Sequence, residues 1–161
     1  MLAQSCGGAP GSNAEVDRQF VLRSAGTYLG NARSVPLDIN TGIHDGHIGA
    51  VPIMQSLNAF NMVAAAADKL TDEDIASMTE REMIPEHLGR PPTDSLYGKK
   101  SVLFRRISEN VRITVFEGGH ELLYQPGLSW LEQQAKGRPP KWDISPGKSG
   151  VVSGPDLPLG K

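Results

Sequence analysis

LDINTGIHDGHIGAVPIMQSLNAFN, running from Leu37 to Asn61, decides how the rest of the chain is read. Leu37 and Ile39 alternate with Asp38 and Asn40, the period-two pattern of a strand with one buried and one polar face. This strand spans Leu37–Thr41 and breaks at Gly42. A polar loop with His44, Asp45 and His47 follows. Near Val51-Pro52 the apolar spacing turns helical, through Ile53, Leu57, Phe60, Ala64 and Ala67, and a helix is expected to about Leu70. Pro52 suits its first turn, where a missing N–H costs nothing. A carboxylate on a loop between a strand's C-terminal end and the next helix is where open α/β sheets keep their chemistry.

A matching stretch lies downstream. In VRITVFEGGHE, Val111 to Glu121, Val111, Ile113 and Val115 alternate with Arg112, Thr114 and Phe116, predicting a second strand that ends in a Gly118-Gly119-His120 turn. If the two strands are parallel neighbours, Asp45 and His120 leave the same edge. They then fit the last two places of a Ser…Asp…His triad in α/β-hydrolase order. In a triad the carboxylate holds one imidazole nitrogen while the other takes the nucleophile's proton. Spacing alone fits equally a turn aspartate and a turn histidine beside two glycines. A second constellation, His44, Asp45 and His47, offers metal-ligating side chains that His120 or Glu121 would complete; its imidazoles fit hydrogen bonds to loop carbonyls as well.

Around these two motifs the chain reads as follows. Residues 1–14 carry turn formers in series, Gly7-Gly8, Pro10-Gly11 and Ser12-Asn13, and predict a loop. Ser12 or Asn13 caps a helix expected over Ala14–Arg23, with Glu15 and Asp17 in its first turn and Val16, Phe20 and Leu22 on its inner face. Residues 26–34 read as irregular. Thr71 and Asp74 form a capping-box pattern ahead of an acidic helix from about Asp72 to Glu82, a solvated face that stops before Pro85. Residues 85–100 read as loop, and Ser101–Arg106 as a short strand or a helical turn. Leu122–Ala135 predicts an amphipathic helix anchored by Leu123, Leu128, Trp130 and Leu131. From Lys136 on, a Pro- and Gly-rich tail is expected to be disordered.

Composition sets outer limits. The 161 residues suit one domain, but only 39% are hydrophobic, and 18 Gly and 12 Pro shrink the part that can form a core. A net charge of -2 gives no basic footprint for nucleic acid or an anionic membrane. Cys6 is the single cysteine, which excludes an intrachain disulfide and a cysteine metal cluster. No apolar run approaches the roughly 20 residues of a membrane span.

GIHDGHIGAVPIMQSLNAF resembles the segment after the penultimate strand in α/β-hydrolases of the prolyl-oligopeptidase type. There a strand and a Gly precede an acid, then Val-Pro, then Gln-Ser opening a helix; here these are Gly42, Asp45, Val51-Pro52 and Gln55-Ser56. VRITVFEGGHE resembles the family segment that carries the triad histidine. The resemblance covers residues 35–135, with 71–110 poorly matched and read as an insertion. It implies an α/β fold and a serine peptidase or esterase acting on a peptide or ester. Asp45 would be triad acid and His120 triad base, with no cofactor. The departure from the family is the nucleophile. No Gly-x-Ser-x-Gly occurs, and the strings around Ser12 and Ser149 lack the strand-to-helix context of an elbow. Ser56 matches a helix-opening serine and is not a nucleophile candidate. The chain therefore reads as the last two parallel strands and flanking helices of an incomplete α/β-hydrolase fold, inactive alone. Residues 1–34 precede the sheet and 136–161 form the tail. The elbow and the first half of the sheet are expected upstream or on a partner. Metal-dependent chemistry on the His44, Asp45, His47 loop, and a non-catalytic hydrolase relic that binds a partner, are the two other classes the sequence leaves open.

Overall fold

A computed structural model describes residues 2–91 and 93–143. It is a mixed α/β structure built on a three-stranded sheet: β1 (Leu37–Gly42), β2 (Val102–Ser108) and β3 (Val111–Phe116), in the order β1-β3-β2. β1 runs parallel to β3, with Leu37 opposite Val111 and Gly42 opposite Phe116. β2 runs antiparallel to β3 through the two-residue turn Glu109-Asn110. The undecided stretch after Ser101 is thus a strand. Residues 71–110, expected as an insertion, supply β2 and a helix that share the main core. Among the described residues there are six α-helices: α1 (Leu2–Cys6), α2 (Ala14–Arg23), α3 (Ala25–Leu29), α4 (Met54–Val63), α5 (Asp72–Glu80) and α6 (Tyr124–Leu131). None is long and apolar enough to cross a membrane.

The core lies between the sheet and α4. The α4 side chains Leu57, Phe60 and Val63 are buried against Val111, Ile113 and Val115 of β3 and Phe104 of β2, with Ile75 and Met78 of α5 beside them. Burial of each such side chain is worth about 1.5–3 kcal/mol, so this layer fixes the strand whose end carries the histidine. The opposite face is polar yet covered. Arg112 grips Asp38 through two hydrogen bonds of 2.7 and 2.8 Å, and both side chains are only 2% exposed. The register explains the pair, since Asp38 and Arg112 are direct neighbours across β1 and β3. Trp142 lies over the Arg112 guanidinium, accepts a hydrogen bond from it through its carbonyl, and stacks on Trp130 at 5.9 Å. Residues 136–143 are therefore ordered onto the domain, and Trp130 packs on Trp142 rather than into a helix core. The remainder of the expected tail, 144–161, lies outside the described residues.

Several expected boundaries move for identifiable reasons. The N-terminal loop contains α1, because Gly7 at φ 84° and the bonds Gly8 N to Ala3 O and Gly7 N to Gln4 O close a Schellman cap. Residues expected to be irregular form α3 and a 3₁₀ turn, Gly30–Ser34. Asn13 caps α2 as expected, but Val16 alone on that helix is buried, and Leu22 is exposed. α4 starts after Pro52 and ends at Val63, short of Leu70. Ser108 Oγ takes the Ala65 N–H at 2.9 Å, and the Asn61 side chain bonds both the N–H and the carbonyl of Leu70. These contacts draw the chain out of the helix. α5 ends at Glu80, and its Asp74 is buried in the capping box instead of solvated. α6 is shorter than expected. Leu128 and Leu131 face solvent, while Pro126 and Ser129 are its buried residues.

Candidate active site

β1 ends at a glycine because nothing larger fits. A Cβ at Gly42 would lie 2.2 Å from the Gly118 carbonyl oxygen and 2.4 Å from that of Gly119. This close approach lets the β1–β3 pairing continue past both strands, with Ile43 N–H on Phe116 O at 3.0 Å and His44 N–H on Gly118 O at 2.9 Å. The loop then coils tightly. Ile48 N–H returns to His44 O, and Ile53 N–H at the start of α4 bonds Asp45 O at 3.0 Å. Gly49 adopts φ 138° where a Cβ would meet His120 Cβ at 2.5 Å, so the loop can lie against the histidine only with glycine there. His120 N–H completes the closure on Ile48 O.

The outcome is a carboxylate and an imidazole in contact. His120 Nδ1 lies 3.0 and 3.1 Å from the two oxygens of Asp45. Asp45 is 7% exposed, whereas the His120 side chain is 57% exposed. A carboxylate only accepts, so Nδ1 is the donor of this contact, and in a neutral imidazole Nε2 is then the acceptor nitrogen. Both residues line an open cleft of about 470 Å³ with Thr41, Val51, Ser56 and Leu122. Thr41 Oγ1 is buried there without a hydrogen-bond partner. No serine, threonine or cysteine side chain among the described residues hydrogen-bonds His120. Ser56, on the first turn of α4, lines the cleft wall. The Ser12 hydroxyl donates to Ala9 O, and Ser149 lies outside the described residues.

The other loop histidines turn away from Asp45. His44 Nδ1 contacts Glu82 and its Nε2 lies 2.6 Å from Glu117 Oε1. Hydrogen bonds donated to Glu82 first and Glu117 second raise the His44 pKa above its ordinary value. His47 donates from Nε2 to Thr79 O at 2.7 Å and approaches Glu82 with Nδ1. Glu121 pairs with Lys100 at 2.7 Å, which pulls its carboxyl below the usual range. Asp45 is thus committed to His120, while His44 and His47 share Glu82 and turn to Glu117 and Thr79 O with their other nitrogens. Among the described residues no group of three or more His, Cys, Asp or Glu side chains is arranged to hold a metal ion.

Two groups escaped the sequence. Glu82 and Glu117 anchor His44, and Asp38 with Arg112 stiffens the strands beneath the pair. Strand alternation put Asp38 and Arg112 on polar faces, and pairing the strands in register would have set them side by side. Glu82 offered no comparable signal. No protein-family model, curated protein or solved structure matches this chain.

Proposed function

We propose that this chain supplies the acid and the base of a serine-hydrolase triad whose nucleophile comes from residues outside it, and that the chain alone does not turn over. The observation that carries this reading is the contact of His120 Nδ1 with both Asp45 oxygens, at the ends of adjacent parallel strands. Supporting it are the exposure of the rest of the imidazole and the cleft in front of it. In this reading Asp45 fixes the tautomer of His120 and stabilises the imidazolium that forms when Nε2 accepts a serine proton. His120 then returns that proton to the leaving group of an ester or a peptide. Water resolves the acyl-enzyme by the same route, with His120 again as base.

A fluorophosphonate probe tests the nucleophile assignment. The purified chain is expected to remain unlabelled, because a covalent path needs the missing serine. Labelling of any serine within these 161 residues would refute the proposal. The coding strand upstream of Met1 provides the positive arm. A Gly-x-Ser-x-Gly codon series following a strand pattern is expected there or in a partner gene. A polypeptide joining that segment to this chain should label, and should lose labelling when His120 is changed to Ala.

A further inference from the structure

His44 stands one residue before Asp45, and each of its ring nitrogens faces a carboxylate. A neutral imidazole has a single N–H and cannot donate to both; an imidazolium can. The two carboxylates come from different parts of the fold. Glu117 follows β3 and precedes His120 by three residues. Glu82 follows α5 and takes φ 53°, a left-handed conformation rare outside glycine. Glu82 also faces His47, whose other nitrogen is tied to Thr79 O. The titratable groups facing it are therefore Glu82 from the α5 side, Glu117 from the β3 side, and His47 across Glu82. The backbone bonds His44 N to Gly118 O and His120 N to Ile48 O join the same two loops.

We propose that His44, as an imidazolium, is a positioning residue that clasps the loop bearing Asp45 to the turn bearing His120, so that the alignment of this pair depends on the charge of His44. The sign follows from the partners. Both hydrogen bonds raise the folded-state pKa of His44 above its ordinary 6.5. The clasp is thus fully present below that ordinary value and is lost as pH rises through the raised one. Glu82, held below the usual carboxylate range chiefly by His44, remains charged across this window. The placement of Asp45 and His120 by His44 does not require a serine partner, so a failed labelling experiment would leave it standing.

Nitrogen-15 imidazole NMR of the whole chain, from pH about 5 to 9, is the test. At neutral pH both His44 nitrogens are expected to be protonated. The His120 resonances should show a second inflection where His44 loses its proton. His44→Gln should abolish that second inflection and leave the His120 resonances offset as they are once His44 has lost its proton. His44→Arg, a permanent cation able to meet both carboxylates, should also abolish the second inflection but leave the His120 resonances offset as they are while His44 holds its proton. A merely structural His44 would not produce that contrast. Glu82→Gln and Glu117→Gln each remove one negative charge facing the ring and should move the His44 titration downward, which keeps the test alive if His44→Gln does not fold. His44 titrating at or below 6.5, or His120 resonances indifferent to all four substitutions, would overturn the proposal.

Discussion

Gly42→Ala tests how the fold sets the geometry of the candidate site. The new methyl would stand 2.2 Å from Gly118 O, 2.4 Å from Gly119 O and 2.5 Å from Gly118 C, whereas ordinary contact begins at 3.4 Å. All three are backbone atoms, so no side chain can swing aside. The end of β1 and the Gly118-Gly119 turn must part by about 1 Å. The bonds Ile43 N to Phe116 O and His44 N to Gly118 O lie in that path, and Asp45 and His120 sit just beyond them. Overpacking of this kind costs about 1–3 kcal/mol. A shift of about 1 Å takes the Asp45–His120 contact past hydrogen-bond range. Urea unfolding followed by far-UV circular dichroism reads the first effect, and the His120 Nδ1–H resonance reads the second. Gly127→Ala is the control: the same methyl placed in α6 meets nothing within 4 Å. It should stabilise the chain by about 0.5–1 kcal/mol through helix propensity. Equal stability of Gly42→Ala and the unaltered chain, with the His120 signal intact, would refute the steric reasoning.

Other outcomes follow from the same structure. Arg112→Met leaves Asp38 buried with the Asn40 amide at 3.1 Å as its remaining side-chain donor, and should cost about 3–5 kcal/mol in urea. The double change Asp38→Leu/Arg112→Met should recover much of that loss, since no charge is then stranded. Asp45→Asn should lower the Nδ1–H fraction of His120, seen in its nitrogen-15 shifts, without abolishing the fold. Asn13→Ala removes the acceptor for Val16 N–H and should destabilise by about 1 kcal/mol, read as a lower urea midpoint.

What the sequence made legible was local or periodic. The alternation in Leu37–Thr41 and Val111–Phe116 located β1 and β3, and the acid and histidine motifs located Asp45 and His120, which meet. β2 was obscured because Arg105 and Arg106 break its apolar alternation. Their partners, Asp94 and the Asp68 carbonyl, lie far away in the chain. Helix ends were missed where tertiary hydrogen bonds overrode propensity, as at Ala65 and Leu70. Glu82 shows the limit most clearly. Its left-handed turn is imposed by Met83 N–H returning to Ser77 O, and nothing in the residue itself announces it.

The stacked pair Trp130 and Trp142 has a consequence for any optical study of this chain. These are its only two tryptophans, and they lie together beside Arg112 instead of in the layer formed by α4 and β3. Indole emission and any exciton band from the stack therefore report whether residues 136–143 are seated on α6, and are silent about the main hydrophobic layer. A titration followed by fluorescence and one followed by amide ellipticity would watch different events. Were the seated segment to release first, the two curves would separate even though the core unfolds in a single step.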